Sequence, residues 1–183
     1  MQVLESFVRI LFWISNVGLS MTFVVAWKQN EIASQLNLPG GIALHVTMAV
    51  ISIFVLLFAN ISSIFYFVGT GRWVKDQAML LMAQGRKKPS VAVWDLYEKA
   101  NKLKALPMPF ATFALVLGLF TFIMGGAHQM HAIPEWIHPS LATLLLLLNW
   151  TSHWATFRTI HKNLAILDQC SNIVDPPTAV LTH

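Results

Sequence analysis

The chain has 183 residues, of which 56% are hydrophobic and only 11% are charged. Soluble domains carry about a quarter charged residues, so this composition argues against a soluble domain and predicts an integral membrane protein. The net charge of +4 does not indicate nucleic-acid binding, because eight of the twelve Lys and Arg residues fall between Arg72 and Lys104. Cations gathered in one connecting segment are typical of membrane topology instead.

The first two apolar segments are each long enough to cross the hydrocarbon core, which needs about 20 helical residues. The first runs from about Phe7 to Trp27. It is predicted to be a retained helix and not a cleaved signal peptide, because no basic region precedes it and no small-residue cleavage site follows. The second, Gly41 to Val68, is longer, and we expect it to tilt or to project beyond the bilayer.

Two further segments complete the predicted bundle. The third span runs from Phe110 to Gly126 and follows LPMP, whose prolines suit the start of a helix. The fourth runs from about Ile137 to Phe157 and continues as a polar helix to Cys170. The sequence therefore predicts an all-α, four-helix integral membrane bundle that forms one domain over residues 1–183.

Cys170 is the only cysteine in the sequence. A single cysteine excludes an intramolecular disulfide and a thiolate zinc site.

The positions of the cations predict the orientation of the four spans. The loop at residues 72–107 is rich in Lys and Arg, whereas the two shorter loops carry almost none. The positive-inside rule therefore assigns this loop, both termini and the tail at residues 158–183 to the cytoplasm. A multi-pass protein of a bacterial inner membrane is the expected location.

The stretch SVAVWDLYEKANKLKAL, from Ser90 to Leu106, predicts an amphipathic cytoplasmic helix between spans two and three. Ser90 is expected to cap its start. Its apolar stripe is expected to lie on the membrane surface or against a partner subunit, and consists of Val93, Leu96, Ala100 and Leu103. The tail after Cys170 is expected to be extended and to reach along a neighbouring chain.

The two helical hairpins resemble each other weakly. Placing His45 on His138 also aligns Ala49 with Ala142 and Asn60 with His153. Two hairpins repeated in the same orientation would be related by a pseudo-twofold axis along the membrane normal.

His45 and His138 are the strongest candidates for a cofactor site. Both lie a few residues inside the outer boundary of their spans, and ionisable residues inside a membrane usually face the bundle interior. Two neutral imidazoles at one depth suit the two axial positions of a b-type haem iron. His153 lies deeper without a histidine partner at its level, so we expect it to be hydrogen-bonded in the interior or to contact a quinone or a neighbouring subunit.

The third span carries a face of small side chains at helical spacing, which would allow either close helix packing or a flat porphyrin. Its members are Ala111, Ala114, Gly118, Thr121 and Gly125.

The outer loop contains the run HQMH, with His128, Met130 and His131. Copper accepts imidazole and thioether ligands together, and zinc would take the histidines alone. A copper or zinc site is therefore one hypothesis for this loop, and an ordinary solvated loop is the other.

These observations lead to three hypotheses about function. The first is an electron-transfer subunit of a respiratory or other redox complex, with haem b between His45 and His138 and electrons passing between a quinone and a partner subunit. The second is a membrane protein that binds copper or zinc at its outer face through His128, Met130, His131 and a histidine of a span. The third is a structural subunit without a cofactor. Membrane lipid and other membrane subunits are the expected partners, and nucleic acid is not.

Overall fold

The computed structural model of the protein describes residues 2–35 and 41–176. Regular structure in these residues is entirely helical, which confirms the predicted all-α class for this part of the chain. The five helices are α1 (Gln2–Gln35), α2 (Gly41–Ala83), α3 (Lys87–Lys104), α4 (Pro107–Gln129) and α5 (Ile137–Val174).

Three helical segments within the described residues are long and apolar enough to cross a membrane. They are Ser6–Lys28, Leu44–Ala83 and Lys87–Gln129. The first and third contain the predicted spans at residues 7–27 and 110–126, and the second overlaps the span predicted at residues 41–68 from Leu44 onward. The predicted fourth span lies in α5, which is not among them. These three segments make the chain compatible with a multi-pass membrane protein.

The four long helices α1, α2, α4 and α5 surround a common interior. Helix α1 packs on α2, α4 packs on α5, and α2 also contacts α4, while α5 closes the ring against α1. Helix α1 has a break at Lys28, where φ is −114° and ψ is 21°. This break comes one residue after the predicted end of the first span at Trp27, so the sequence boundary and the structural one agree.

The polarity of this bundle is inverted relative to that of a water-soluble protein. Large apolar side chains cover its outer surface, among them Phe54, Phe65, Phe113, Leu147 and Trp150. Hydrogen-bonding side chains are buried inside it, including Ser15, Asn16, Asn60, Asn149, Ser152 and His153. Such a surface suits contact with lipid, because apolar side chains lose nothing there and polar ones need partners inside the protein.

Helices α2 and α5 are too long for the bilayer alone. With 43 residues in α2 and 38 in α5, they measure about 64 and 57 Å, against about 30 Å of hydrocarbon. Their final turns pack with α3 around a separate apolar cluster, which we name the α3 unit. It consists of Val74, Ala78, Leu81, Val93, Leu96, Ala100, Ile166, Leu167 and Cys170. We call the other end of the bundle, where His45, His128 and His138 lie, the histidine end.

The predicted cytoplasmic loop at residues 72–107 is wrong as a loop, because α2 continues to Ala83 and α3 begins at Lys87. The apolar stripe of α3 faces α2 and α5 of the same chain, not the membrane surface or a partner, because both helices extend alongside it. Ser90 does not cap α3. It lies inside the helix, where its hydroxyl donates a 2.8 Å hydrogen bond to the carbonyl of Ala78.

The histidine-rich loop predicted at residues 127–136 is shorter than expected. Helix α4 continues to Gln129, so His128 belongs to its last turn, and the connection to α5 begins at Met130. Helix α5 starts at Ile137 and remains helical to Val174, which confirms its predicted polar continuation. The tail after Cys170, expected to be extended, is instead helical as far as Val174. Residues 36–40 and the residues after 176 lie outside the described residues.

Candidate functional site

A cavity of about 580 Å³ lies between the four long helices at the histidine end. Its volume falls within the range of about 300–1,000 Å³ typical of small-molecule sites. The lining is mainly apolar, with a few polar groups from each helix. It includes Thr22, Phe23 and Trp27 of α1, His45, Ala49 and Ser52 of α2, Thr121, Gly125 and Gln129 of α4, and His138, Ala142 and Thr143 of α5.

Two imidazoles meet in this cavity, those of His45 from α2 and His138 from α5. Their ring centroids are 6.5 Å apart, and the ring planes make an angle of 70°. The Nδ1 atom of each ring is buried and has no hydrogen-bond partner within the described structure. A buried polar atom without a partner costs about 1–3 kcal/mol, so a ligand that engaged these two nitrogens would remove an unfavourable term.

Helix α4 fixes the position of the His138 ring. A Cβ atom added at Gly125 would lie 3.0 Å from His138 Cε1 and 3.5 Å from Nδ1. One turn later, the ring of His128 stacks on that of His138, with centroids 5.7 Å apart and planes at 21°. The imidazole therefore rests on bare helix backbone and against a second ring.

The face of small side chains on α4 serves two purposes. At Gly118 an added Cβ would lie 3.0 Å from the side chains of both Ile53 and Leu56, so this part of the face allows α2 to pack closely. Thr121 and Gly125, nearer the histidine end, line the cavity instead. The hydroxyl of Thr121 is buried without a partner in the part of the chain that the structure describes.

His153 lies outside this cavity. Its side chain is 1% exposed, its Nδ1 contacts the amide nitrogen of Asn16, and its ring stacks on Phe12 with a centroid distance of 4.0 Å. This environment matches the hydrogen-bonded interior role considered from the sequence. His153 does not share a site with His45 and His138.

Beside His153, three asparagines join α1, α2 and α5. The Asn60 amide donates to Asn149 Oδ1 at 3.1 Å, and Asn149 donates to Asn16 Oδ1 at 2.8 Å. The hydroxyl of Ser152 donates to Asn60 Oδ1 at 3.0 Å. We name this set the amide network.

The amide network was not predicted from the sequence, although the pattern of polar residues in α5 indicates an inward polar face. The polar positions of α5 recur every three or four residues through an apolar helix, a spacing that marks one inward face. They are Asn149, Ser152, Thr156, Thr159 and Asn163.

The three residues of the predicted copper or zinc site do not line the cavity. His128 stacks on His138, Met130 is 80% exposed, and His131 lies exposed in the turn that follows with φ of 54°. Across residues 2–35 and 41–176, no group of three His, Cys, Asp or Glu side chains is arranged to hold a metal ion.

No family model matches the chain, and comparison with curated proteins and with solved structures gives no match either. The interpretation of the cavity therefore depends on the geometry of its own residues.

Proposed function

We propose that the chain is a four-helix integral membrane subunit that binds one b-type haem between His45 and His138 at the histidine end. In this role it carries electrons between a membrane quinone and a partner subunit. One observation carries the proposal: imidazoles from two separate helices, α2 and α5, enter one cavity with centroids 6.5 Å apart.

The surface of α5 supports its assignment as the fourth span. Its buried positions include Asn149, Ser152 and His153, whereas its exposed positions include Leu147 and Trp150. The polar residues lower the average hydropathy of α5, but they face the protein interior, where the amide network satisfies them. The face that would contact lipid is apolar, as a transmembrane helix requires.

The cations support an orientation. Eight of the twelve Lys and Arg residues lie in residues 72–104, at the end of the bundle that carries α3. By the positive-inside rule this end is cytoplasmic, together with both termini, and the histidine end faces outward. A bacterial inner membrane is the location that we propose.

The spacing of the imidazoles supports a single metal atom between them. Two imidazoles that each bound one shared metal atom at about 2 Å would have ring centres roughly 6 Å apart. The 6.5 Å between His45 and His138 is close to this value. The 70° between the planes is compatible with it, because each ring can turn about its own bond to the metal. The bare backbone at Gly125 lets the His138 ring pack against α4.

Each group in the cavity then has a defined task. His45 and His138 hold the iron, and Gly125 keeps the second imidazole in place. Apolar side chains such as Phe23, Ile53 and Leu146 exclude water from the metal. Bound haem supplies one-electron exchange, and its surroundings tune the potential at which this occurs.

The same spacing disfavours a quinone held between the two imidazoles. The opposite oxygens of a quinone ring, each with a hydrogen bond of about 2.8 Å, require nitrogens roughly 10 Å apart. Copper or zinc would obtain only two nitrogens from His45 and His138, half of a tetrahedral set. Both arrangements therefore have less support than the haem.

A visible spectrum of the purified protein, recorded before and after dithionite, tests the proposal. We expect a Soret band that sharpens and shifts on reduction and an α band that appears with it. His45→Ala and His138→Ala should each abolish both bands. His131→Ala is the matched control, since it removes an exposed imidazole that does not line the cavity, and it should leave the spectrum unchanged.

Three outcomes would contradict the haem. Copper or zinc found by elemental analysis without a haem spectrum would support the metal hypothesis, and finding neither would support a structural subunit. Bands that survive His138→Ala would remove this residue as a ligand. A size-exclusion profile matching the unmutated protein shows that each variant is folded.

A further inference from the structure

We propose that Trp154, Arg158 and Lys162 form a binding site on α5 for the headgroup of an anionic phospholipid. This site lies at the α3 end of the bundle, and it does not depend on a haem at the opposite end.

The three residues form a line along one face of α5. They are four residues apart, so they are neighbours on the helix surface, and each step rises about 6 Å. Trp154 is 54% exposed, and Arg158 and Lys162 are exposed as well. The guanidinium carbon of Arg158 lies 5.1 Å from the centre of the Trp154 ring. The tryptophan thus holds the arginine against the helix instead of leaving it extended in solvent.

Their depth matches the inner boundary of a bilayer. The fourth span is predicted to end at Phe157, so Trp154 lies at the edge of the hydrocarbon, where tryptophan is enriched. Arg158 follows one residue after that boundary, and Lys162 lies about 6 Å further along the helix. The headgroup layer is roughly 5–7 Å thick on each side. A phosphate in that layer would meet both cations while its acyl chains lay along the exposed rings of Trp154 and Trp150.

The charge of this surface is not balanced by the protein. Among the described side chains, the salt bridges are Lys28–Glu31 and Arg72–Asp76, and neither involves Arg158 or Lys162. On the neighbouring helix, Arg9 of α1 contacts His161. A lipid phosphate would supply the missing negative charge. A soluble anion would gain the charge but not the apolar contact with Trp154, so we assign the site to a lipid.

The α3 unit offers a control with the same charge at a different height. Lys87 and Lys88 begin α3, next to the far end of α2 at Ala83. That end is 15 residues beyond Val68, where the second span is predicted to stop, which corresponds to roughly 22 Å of helix. At this distance a surface charge is largely screened from the headgroups.

Native mass spectrometry of the full chain, with phosphatidylglycerol or phosphatidylcholine added, tests the site. We expect the protein to retain phosphatidylglycerol in preference to phosphatidylcholine. The double variant Arg158→Gln, Lys162→Gln should bind phosphatidylglycerol about ten-fold more weakly, because each juxtamembrane cation contributes to attraction for anionic lipid. The double variant Lys87→Gln, Lys88→Gln removes the same charge and should bind like the unmutated chain.

Equal weakening in both double variants would mean that only net charge matters, and it would overturn the site. Equal retention of the two lipids would overturn it as well. Displacement of the lipid by excess inorganic phosphate would show a soluble-anion site instead. If the first double variant fails to fold, Arg158→Lys, which keeps the charge, and Trp154→Leu, which removes the ring, provide the same test. Arg158→Lys should bind phosphatidylglycerol nearly normally, and Trp154→Leu should bind it more weakly.

Discussion

At Gly125 the backbone of α4 lies in contact with the imidazole of His138. The absence of a side chain at this position therefore helps to set where the ring lies in the cavity. Any other residue at position 125 would place a Cβ atom in the space that the ring occupies. The neighbouring Gly126 has open space at the same atom, with nothing within 4 Å of an added Cβ. Both glycines line the cavity, but of the two only Gly125 lies against the His138 ring.

Gly125→Ala is expected to displace His138 and to reduce the haem content of the purified protein. The added Cβ would lie 3.0 Å from His138 Cε1, and overpacking of this kind costs about 1–3 kcal/mol, a loss of about five-fold or more in haem affinity. The measurement is the haem-to-protein ratio when haem is limiting during expression.

Gly69→Ala is the control, since it adds the same methyl group at a helical position where nothing lies within 4 Å and which does not line the cavity. Equal haem content in the two alanine variants would show that the ring does not depend on Gly125. Absence of haem from the unmutated protein would contradict the proposed function itself.

At the scale of single elements, α3 is held by its own chain. Leu96 and Ala100 of α3 pack against Leu167 and Cys170 of α5, and Arg86 donates to the carbonyls of Ile173 and Val174 at 3.3 and 3.2 Å. Burial raises the pKa of the Cys170 thiol. Because the thiolate is the reactive form, a raised pKa leaves less of it at neutral pH than in the unfolded chain.

Leu96→Ala is expected to loosen the α3 unit and to increase the rate at which a maleimide labels Cys170. A buried Leu→Ala change costs about 2–5 kcal/mol, which increases the population of open states that expose the thiol. The native protein should label slowly near pH 7 and faster as the pH rises towards the pKa of the thiol.

Val91→Ala is the control for this prediction, because Val91 lies on the exposed face of the same helix. It should leave the labelling rate unchanged. If native Cys170 labels as fast as the denatured chain, the packing of α3 on α5 is wrong.

At the scale of the whole molecule, the inverted polarity of the bundle explains why α5 is not among the apolar spans. The mean hydropathy counts every residue of a helix, whereas only the residues on its outer face would contact lipid. The buried side chains of α5 include Asn149, Ser152 and His153. Asn149 and Ser152 belong to the amide network, and His153 contacts its Asn16, so their polar groups do not face lipid.

Single cysteines in a Cys170→Ala background test this topology with a membrane-impermeant maleimide. We expect Met82→Cys in the last turn of α2 and Ser171→Cys in the last turn of α5 to label from one side of a vesicle. Met130→Cys, at the histidine end, should label from the other. All three positions are exposed, so access is decided by the membrane.

If α5 does not cross the membrane, Ser171→Cys will label together with Met130→Cys. Labelling of Met130→Cys and Met82→Cys from the same side would exclude α4 as a span.

Features that depend on local composition could be predicted from the sequence alone. Apolar runs of sufficient length predicted the helices of the first three spans, and the start of α5 at Ile137 was correct. The sequence also indicated that His45 and His138 lie at similar depths, because depth follows from residue count along a helix at about 1.5 Å per residue.

Which faces of those helices meet depends on how the folded chain packs. Helix α2 continues past Val68 because α3 and α5 cover its next turns, and no local pattern contains that partner. The 6.5 Å between the rings of His45 and His138 and the contact of Gly125 with His138 depend on how α2 and α4 pack around α5. The residues nearby in the sequence determine that a position is helical and how deep it lies along the helix. What its side chain contacts depends on which helix packs against that face.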